Sequence, residues 1–277
     1  MSYLAPSEFV TKMVDSGESK IYMATKDVII RSYMAGAILA LAVVFAVTIN
    51  VQTGSPIVGA AFFPVGFIML YLMGFDLLTG VFVLTPLAWL DGRPGVTWER
   101  ILIHWGKVFV GNLAGALTVA FIMAINFTNG FMTEVSEVGQ TVAIVGEART
   151  IGYKDNGFGG WVTLFLRGAM CNWMVSLGVV GAMISTTVPG KALAMWMPVM
   201  VFFFLGFEHS VVNMFLFPLG LILGGEYSIG DYLFWNEIPT VLGNLIGGLA
   251  LTGLTLYSTH VRTSPKRTLG ADALTTK

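Results

Sequence analysis

The chain has 277 residues, 55% of them hydrophobic and only 11% charged, with a mean hydropathy of +0.77. That balance excludes an ordinary soluble domain and places the chain among polytopic membrane proteins. Its 15 Lys and Arg nearly cancel 16 Asp and Glu, so charge identifies no partner and no nucleic-acid binding is expected. The single Cys171 excludes an intramolecular disulfide and any cysteine-rich metal or iron–sulfur centre.

The chain opens with a mixed segment, residues 1–27. Phe9, Val10, Met13, Val14 and Ile21 recur in it near helical spacing, among Lys12, Asp15, Glu18, Lys20 and Lys26. A helix on the cytoplasmic membrane surface is expected over 6–24. A cleavable signal peptide is not, because the apolar run does not follow a short basic head directly. Six apolar runs follow, at 28–51, 56–89, 105–125, 161–184, 191–224 and 238–257. Each can cross a bilayer core, which takes about 20 residues. The second and fifth are too long for one straight crossing, and both are interrupted, around Asp76 and at Glu208 and His209. Residues 28–260 therefore read as a six-span channel domain and 261–277 as a cytoplasmic tail.

Positive charge sets the orientation. The N-terminal segment, the turn DGRPGVTWER, Lys191 and the tail HVRTSPKRTLG hold most of the Lys and Arg. The alternate connections, 50–56, 128–160 and 224–239, hold only Arg149 and Lys154. Short cytoplasmic segments attract the positive excess, which puts both termini in the cytoplasm of a multi-pass cell (inner) membrane protein.

The chain is also written twice. IIRSYMAG (29–36) matches FLRGAMCN (165–172), GFDLLTG (74–80) matches GFEHSVV (206–212), and GNLAGAL (111–117) matches GNLIGGL (243–249). With three spans in each half, the halves enter the membrane from opposite sides. The expected fold is an all-α membrane protein of six transmembrane helices, two inverted three-helix repeats with broken second and fifth helices. Irregular backbone survives in hydrocarbon only where protein or water covers it, so matched breaks point to a solute site at the midplane. New helix N-termini near Leu78 and Ser210 would suit a small anion. Gly74 and Gly206 supply the backbone freedom.

Polar residues cluster at these breaks. His209 lies beside Glu208 and four residues before Asn213; intramembrane ionisable groups usually face a cavity, and histidine can exchange a proton near neutral pH. Asp76 and Glu208 are expected to tie down the breaks through backbone N–H groups or Arg partners, since an anion path disfavours bare carboxylates. Thr79 is expected to bond His209 or solute, or to cap its half-helix. Asn172 and Asn213 read either as neutral donors to an anion or as helix–helix hydrogen bonds. Arg31 and Arg167 read as interfacial anchors or partners of carboxylates, and Lys154 as a vestibule charge or a solvated loop residue. Phe63, Phe67, Phe202 and Leu77 lie where bulky side chains would narrow a path.

RGAMCNWMVSL, GFEHSVVNMFLFPLG, GFDLLTG and GNLAGAL together resemble the formate/nitrite transporter family over nearly the whole chain. The resemblance implies an aquaporin-like protomer, a homopentamer with one pore per protomer, and small monovalent anions of weak acids as substrates. It implies a central pore histidine at His209, a threonine at Thr79, and pore asparagines at Asn172 and Asn213. It puts apolar constrictions at Phe63, Phe67, Leu77, Val175 and Phe202. A vestibule lysine has its nearest match in Lys154, about two residues out of register. Many members have Phe and Asn where this chain has Leu78 and Val81, and Phe67 is larger than the aliphatic residue expected there. The 128–160 connection, with Glu134, Glu137 and Glu147, suggests an outer cap or interface.

The expected function is a passive or proton-coupled pore for nitrite or formate, with the proton as second partner and His209 sharing a proton or donating a hydrogen bond. Hydrosulfide, bicarbonate or a short carboxylate are alternatives, as is a neutral-solute channel. A haem enzyme is disfavoured, since His104 and His260 fall near cytoplasmic ends rather than beside His209. No phosphate-binding loop, metal cluster or nucleophile triad is evident, so no enzyme activity and no cofactor are expected.

Overall fold

The computed structural model describes residues 3–263; the tail expected over 261–277 lies outside the described residues beyond Thr263. Helix α1, Pro6–Tyr22, starts with Pro6 in its first turn and with the Glu8 carboxylate accepting the Ala5 N–H at 2.7 Å. Its apolar stripe is spent on protein rather than on a membrane surface. Val10, Met13 and Val14 are buried with Val83, Leu84 and Leu87, and Gly17 lies so close that a Cβ there would sit 2.0 Å from the Leu84 carbonyl oxygen.

Four helices are long and apolar enough to cross a bilayer: α2 (Thr25–Thr53), α6 (Trp98–Phe127), α9 (Gly157–Ile184) and α12 (Ile229–Arg262). Between them lie shorter apolar helices that meet end to end at the expected breaks. On the first side these are α3 (Pro56–Phe62), α4 (Pro64–Leu72) and α5 (Leu78–Leu90); on the second, α10 (Val188–Phe204) and α11 (Ser210–Ile222). Pro64 lacks an N–H and separates α3 from α4. The 128–160 connection is itself helical, with α7 (Glu137–Ala148) packed on α11 and the one-turn α8 (Ile151–Lys154) on α9. Helix α12 carries π-helical turns at Leu233–Glu237, Leu249–Leu254 and Ser258–Arg262.

The two halves use the same joints. The most extensive helix contacts are α2 with α6 and α9 with α12, and each crosses at a pair of glycines four apart. Gly111 and Gly115 lie against the α2 backbone, where a Cβ on Gly115 would be 1.9 Å from the Tyr33 oxygen. Gly243 and Gly247 do the same on α9, at 2.1 Å from the Phe165 oxygen and 2.0 Å from the Ala169 oxygen. Small residues at this spacing let backbones meet inside a membrane, where dispersion rather than hydrophobicity holds helices together.

A matched pair of asparagines then fixes the breaks. Asn112 accepts the Leu78 N–H on Oδ1 at 2.9 Å and donates from Nδ2 to the carbonyls of Asp76 (2.9 Å) and Ser32 (2.8 Å). Asn244 accepts the Ser210 N–H at 3.0 Å and donates to the carbonyls of Glu208 (2.9 Å) and Gly168 (2.8 Å). Each amide replaces the helical bonds lost where the chain is irregular, and both side chains are fully buried. Truncation would strand three buried polar groups at about 1–3 kcal/mol each before relaxation. Asn112→Ala and Asn244→Ala should therefore each lower the thermal unfolding midpoint in detergent far more than Asn129→Ala in an exposed turn. Equal midpoints for the three variants would refute the clamp.

Candidate functional site

Both breaks have the same local form. Gly74 and Gly206 take positive φ, +73° and +66°, which reverses the chain at little cost only for glycine. The next N–H closes the preceding helix, Phe75 onto the Leu70 carbonyl at 2.9 Å and Phe207 onto the Phe202 carbonyl at 3.0 Å. The backbone then runs extended through Leu77 and His209 before α5 and α11 begin. Those two helices start at the residues that sequence spacing indicated.

The structure joins the breaks through His209 and Thr79. His209 is 1% exposed, and its Nε2 lies 3.3 Å from Thr79 Oγ1. Its Nδ1 caps α11 by accepting the Val212 N–H at 3.3 Å. A backbone N–H can only donate, so Nδ1 is the acceptor, and a neutral ring carries its proton on Nε2, facing the threonine. Thr79 thus spends its hydroxyl on the histidine, while the Asn112 amide serves the start of α5. Phe202 stacks on His209, with centroids 5.6 Å apart and planes at 24°, and Phe63 meets Phe202 edge-on at 5.7 Å.

The carboxylates sit one residue before the extended Leu77 and His209 and have different partners. Asp76 is 3% exposed and pairs through Oδ1 with Lys20 of α1, where backbone N–H groups or an arginine were expected. Glu208 is fully buried: Oε2 accepts from Asn213 (3.1 Å) and Asn236 (3.3 Å), and Oε1 faces Arg149 (3.7 Å) and the Tyr153 hydroxyl (3.5 Å). Arg167 in turn donates to Tyr153 Oη at 2.7 Å. Asn213 also donates to Asn236 Oδ1 at 2.6 Å. Asn172 donates to the Thr79 carbonyl (3.2 Å) and the Asn244 carbonyl (2.6 Å), tying α9 to the first break and to α12. In this arrangement the amide protons of both Asn172 and Asn213 are engaged by protein. Lys154 is paired with Asp231 at 2.8 Å.

A cavity of ≈ 320 Å³ opens beside α1, with Thr79 in its lining. Phe67, Leu77 and Val175 line it, as do Asp76, Lys12, Lys20 and Lys191. Among the described residues Lys12 and Lys191 form no ion pair. Sequence reasoning did not single out these two lysines, nor Lys20 as a partner for Asp76. Asn236 also escaped it. Asn112 and Asn244 lay in the matched GNL stretches, which was the available signal.

A family model described as "Formate/nitrite transporter" matches residues 7–258. The chain belongs to the formate/nitrite transporter family. A probable formate transporter of Methanothermobacter thermautotrophicus is 30% identical over 275 residues, covering 94% of this chain and 98% of that protein. Among solved structures, an FNT family ion channel superposes with a TM-score of 0.78 at 23% identity, covering 91% of this chain and 98% of that one. A pentameric formate channel with formate bound gives 0.68 at 23% identity, covering 81% and 93%. At those identities the structures establish the shared fold, and the family model establishes the membership.

The ion pair at the first break is open to a direct check. Removing one partner of a buried pair leaves an uncompensated charge, typically a loss of about 3–5 kcal/mol, less here because Lys20 is partly solvated. Lys20→Met should lower the unfolding midpoint clearly, and adding Asp76→Asn should restore much of the loss. A double variant no more stable than the single would show that the pair is not what ties α1 to the break.

Proposed function

We propose that this protein is a homopentameric pore in the cell (inner) membrane, with both termini cytoplasmic, for small monovalent anions of weak acids, formate or nitrite. The observation that carries the reading is the contact of His209 Nε2 with Thr79 Oγ1, which brings the two broken helices together at one buried point. Family membership, the formate named for the relatives above and the alternation of Lys and Arg between connections support it. In that orientation the cavity beside α1 is the inner vestibule.

Three physical steps follow. Lys12, Lys20 and Lys191 offset Asp76 in the vestibule, and the N-terminal end of α5 adds partial positive charge, so an anion gathers there. Phe67, Leu77 and Val175 then form one apolar constriction and Phe63 with Phe202 another, which a bare ion crosses only at a large desolvation cost. Between them His209 donates from Nε2 to Thr79 Oγ1, leaving the threonine proton to point at a substrate oxygen. Protonating Nδ1 would expel the Val212 N–H and uncap α11. The ring therefore works as a neutral donor, and the proton travels with the substrate as the weak acid. Dissociation on the far side regenerates the anion. Asn172 and Asn213 act in this scheme by holding the walls of the path, and Lys154, paired with Asp231, adds to the outer vestibule only when that pair opens.

Purified protein in proteoliposomes tests the scheme. Uptake of labelled formate should rise as the external solution is acidified, by up to about tenfold per pH unit, the factor by which neutral acid gains over anion above its pKa. His209→Phe should remove that uptake, and Thr79→Val should slow it several-fold without changing the slope. Glycerol flux without formate flux would overturn the anion reading, and formate flux independent of pH would overturn carriage of the proton with the substrate.

A further inference from the structure

The repeat matches 111–117 of α6 to 243–249 of α12, and eight residues before the matched clamps the two halves differ in chemistry. Asn236 lies eight residues before the clamp Asn244, and His104 lies eight residues before the clamp Asn112. On the α12 side, Asn236 and Asn213 both donate to Oε2 of Glu208, so two neutral amides satisfy that carboxylate. On the α6 side the counterpart of Asn213, five residues beyond the carboxylate, is Val81, which has nothing to donate. Two buried polar atoms on this side have no hydrogen-bond partner, Oδ2 of Asp76 and Nε2 of His104, in residues 3% and 4% exposed.

We propose that His104 is a second proton-binding site, separate from His209, which takes up a proton against the charge of Asp76 and thereby raises anion occupancy of the vestibule beside α1. Burial opposes charge on the His104 ring, as do Lys20 from α1 and Lys107 from α6 itself, while Asp76 from the break favours it. Helices α5 and α11, packed on α6, carry no charged residue, while α2 brings Lys26, Asp27 and Arg31 in its first two turns. Asp76 is the one carboxylate acting on the ring, and it is held by a single cation, Lys20, on Oδ1. Its other oxygen has protein around it and no donor. A buried carboxylate with an unfilled lone pair stabilises a nearby imidazolium. Asp76 and Thr79 both line the cavity, and the carboxylate opposes an anion there. A proton on His104 cancels that repulsion without placing a new group in the path. The matched residue at the opposite break, Asn236, cannot titrate, and the titratable neighbour of Glu208 there is a carboxyl group, Glu237. The two ends of the path therefore meet acid with different groups, a histidine beside Asp76 and a carboxyl group beside Glu208.

The inference rests on the anion-pore reading for its effect on flux, but the proton site can be measured without flux. The chain has three histidines, so ¹⁵N-histidine spectra of the protein in nanodiscs resolve each, with His104 assigned by its loss in His104→Asn. Between pH 8 and pH 4 the His104 signal should pass from neutral ring to imidazolium, and Asp76→Asn should move that transition at least one pH unit lower. A ring that stays neutral to pH 4, or a transition unmoved by Asp76→Asn, would overturn the site. In sealed vesicles of one orientation, acidifying the face that carries α1 should raise the wild-type formate rate at least threefold beyond the gain from neutral acid alone. His104→Asn, which installs the residue already found at the matched position, should abolish that extra rise and keep the pH 8 rate within twofold. His104→Lys should hold the raised rate at every pH. Identical profiles for wild type and both variants would overturn the link to the vestibule. An absence of any formate flux in wild type would instead refute the pore reading, with the spectra still deciding the proton site.

Discussion

Everything at the centre of this protein depends on keeping irregular backbone stable inside hydrocarbon. Two buried amides meet that demand, Asn112 for the first break and Asn244 for the second. Each binds the first N–H of the new half-helix, the carbonyl two residues before it and a carbonyl of the first helix in its own half. Because one side chain touches three backbone groups, it fixes position and angle together. A water could satisfy the same groups but would leave the half-helices free to shift. The Gly111/Gly115 and Gly243/Gly247 crossings bring the helices close enough for a side chain as short as asparagine to span the gap.

Much of this frame was legible in the sequence. Matched segments located both breaks to the residue, because glycine, the carboxylate and the clamp asparagine recur in the same order. The clamps themselves went unread as clamps. An asparagine within an apolar helix carries no mark of which backbone it will meet 34 residues away. The partner of Asp76 was misjudged for a related reason: nothing in local spacing connects it to Lys20, 56 residues earlier on a helix outside the first span. Helix α1 was legible as amphipathic, but periodicity cannot say whether an apolar stripe meets lipid or protein. The π-helical turns of α12 left no signal, since a single extra residue per turn alters neither hydropathy nor spacing enough to register.

The 128–160 connection gains a meaning from the same symmetry. Each half of the chain begins with an amphipathic helix ahead of its first long span, α1 ahead of α2 and α7 ahead of α9. Helix α1 packs on α5, the half-helix after the first break, and α7 packs on α11, the half-helix after the second. Each leading segment also sends a cation to the carboxylate of its break, Lys20 to Asp76 and Arg149, just past α7, to Glu208. Acidic residues in the connection suggested a cap or an interface, yet its buried face does for one break what α1 does for the other. The unit that is duplicated is therefore four segments long: a leading helix with its cation, a long span, a broken span and a closing span with its clamp. On that accounting the departures from symmetry are few and local. Thr79 faces His209 where the repeat offers no second histidine, and His104 stands where the other half has Asn236. Both departures put a group able to donate or bind a proton where its counterpart cannot: Thr79 lines the cavity beside α1, and His104 feels the charge of Asp76, which lines it too.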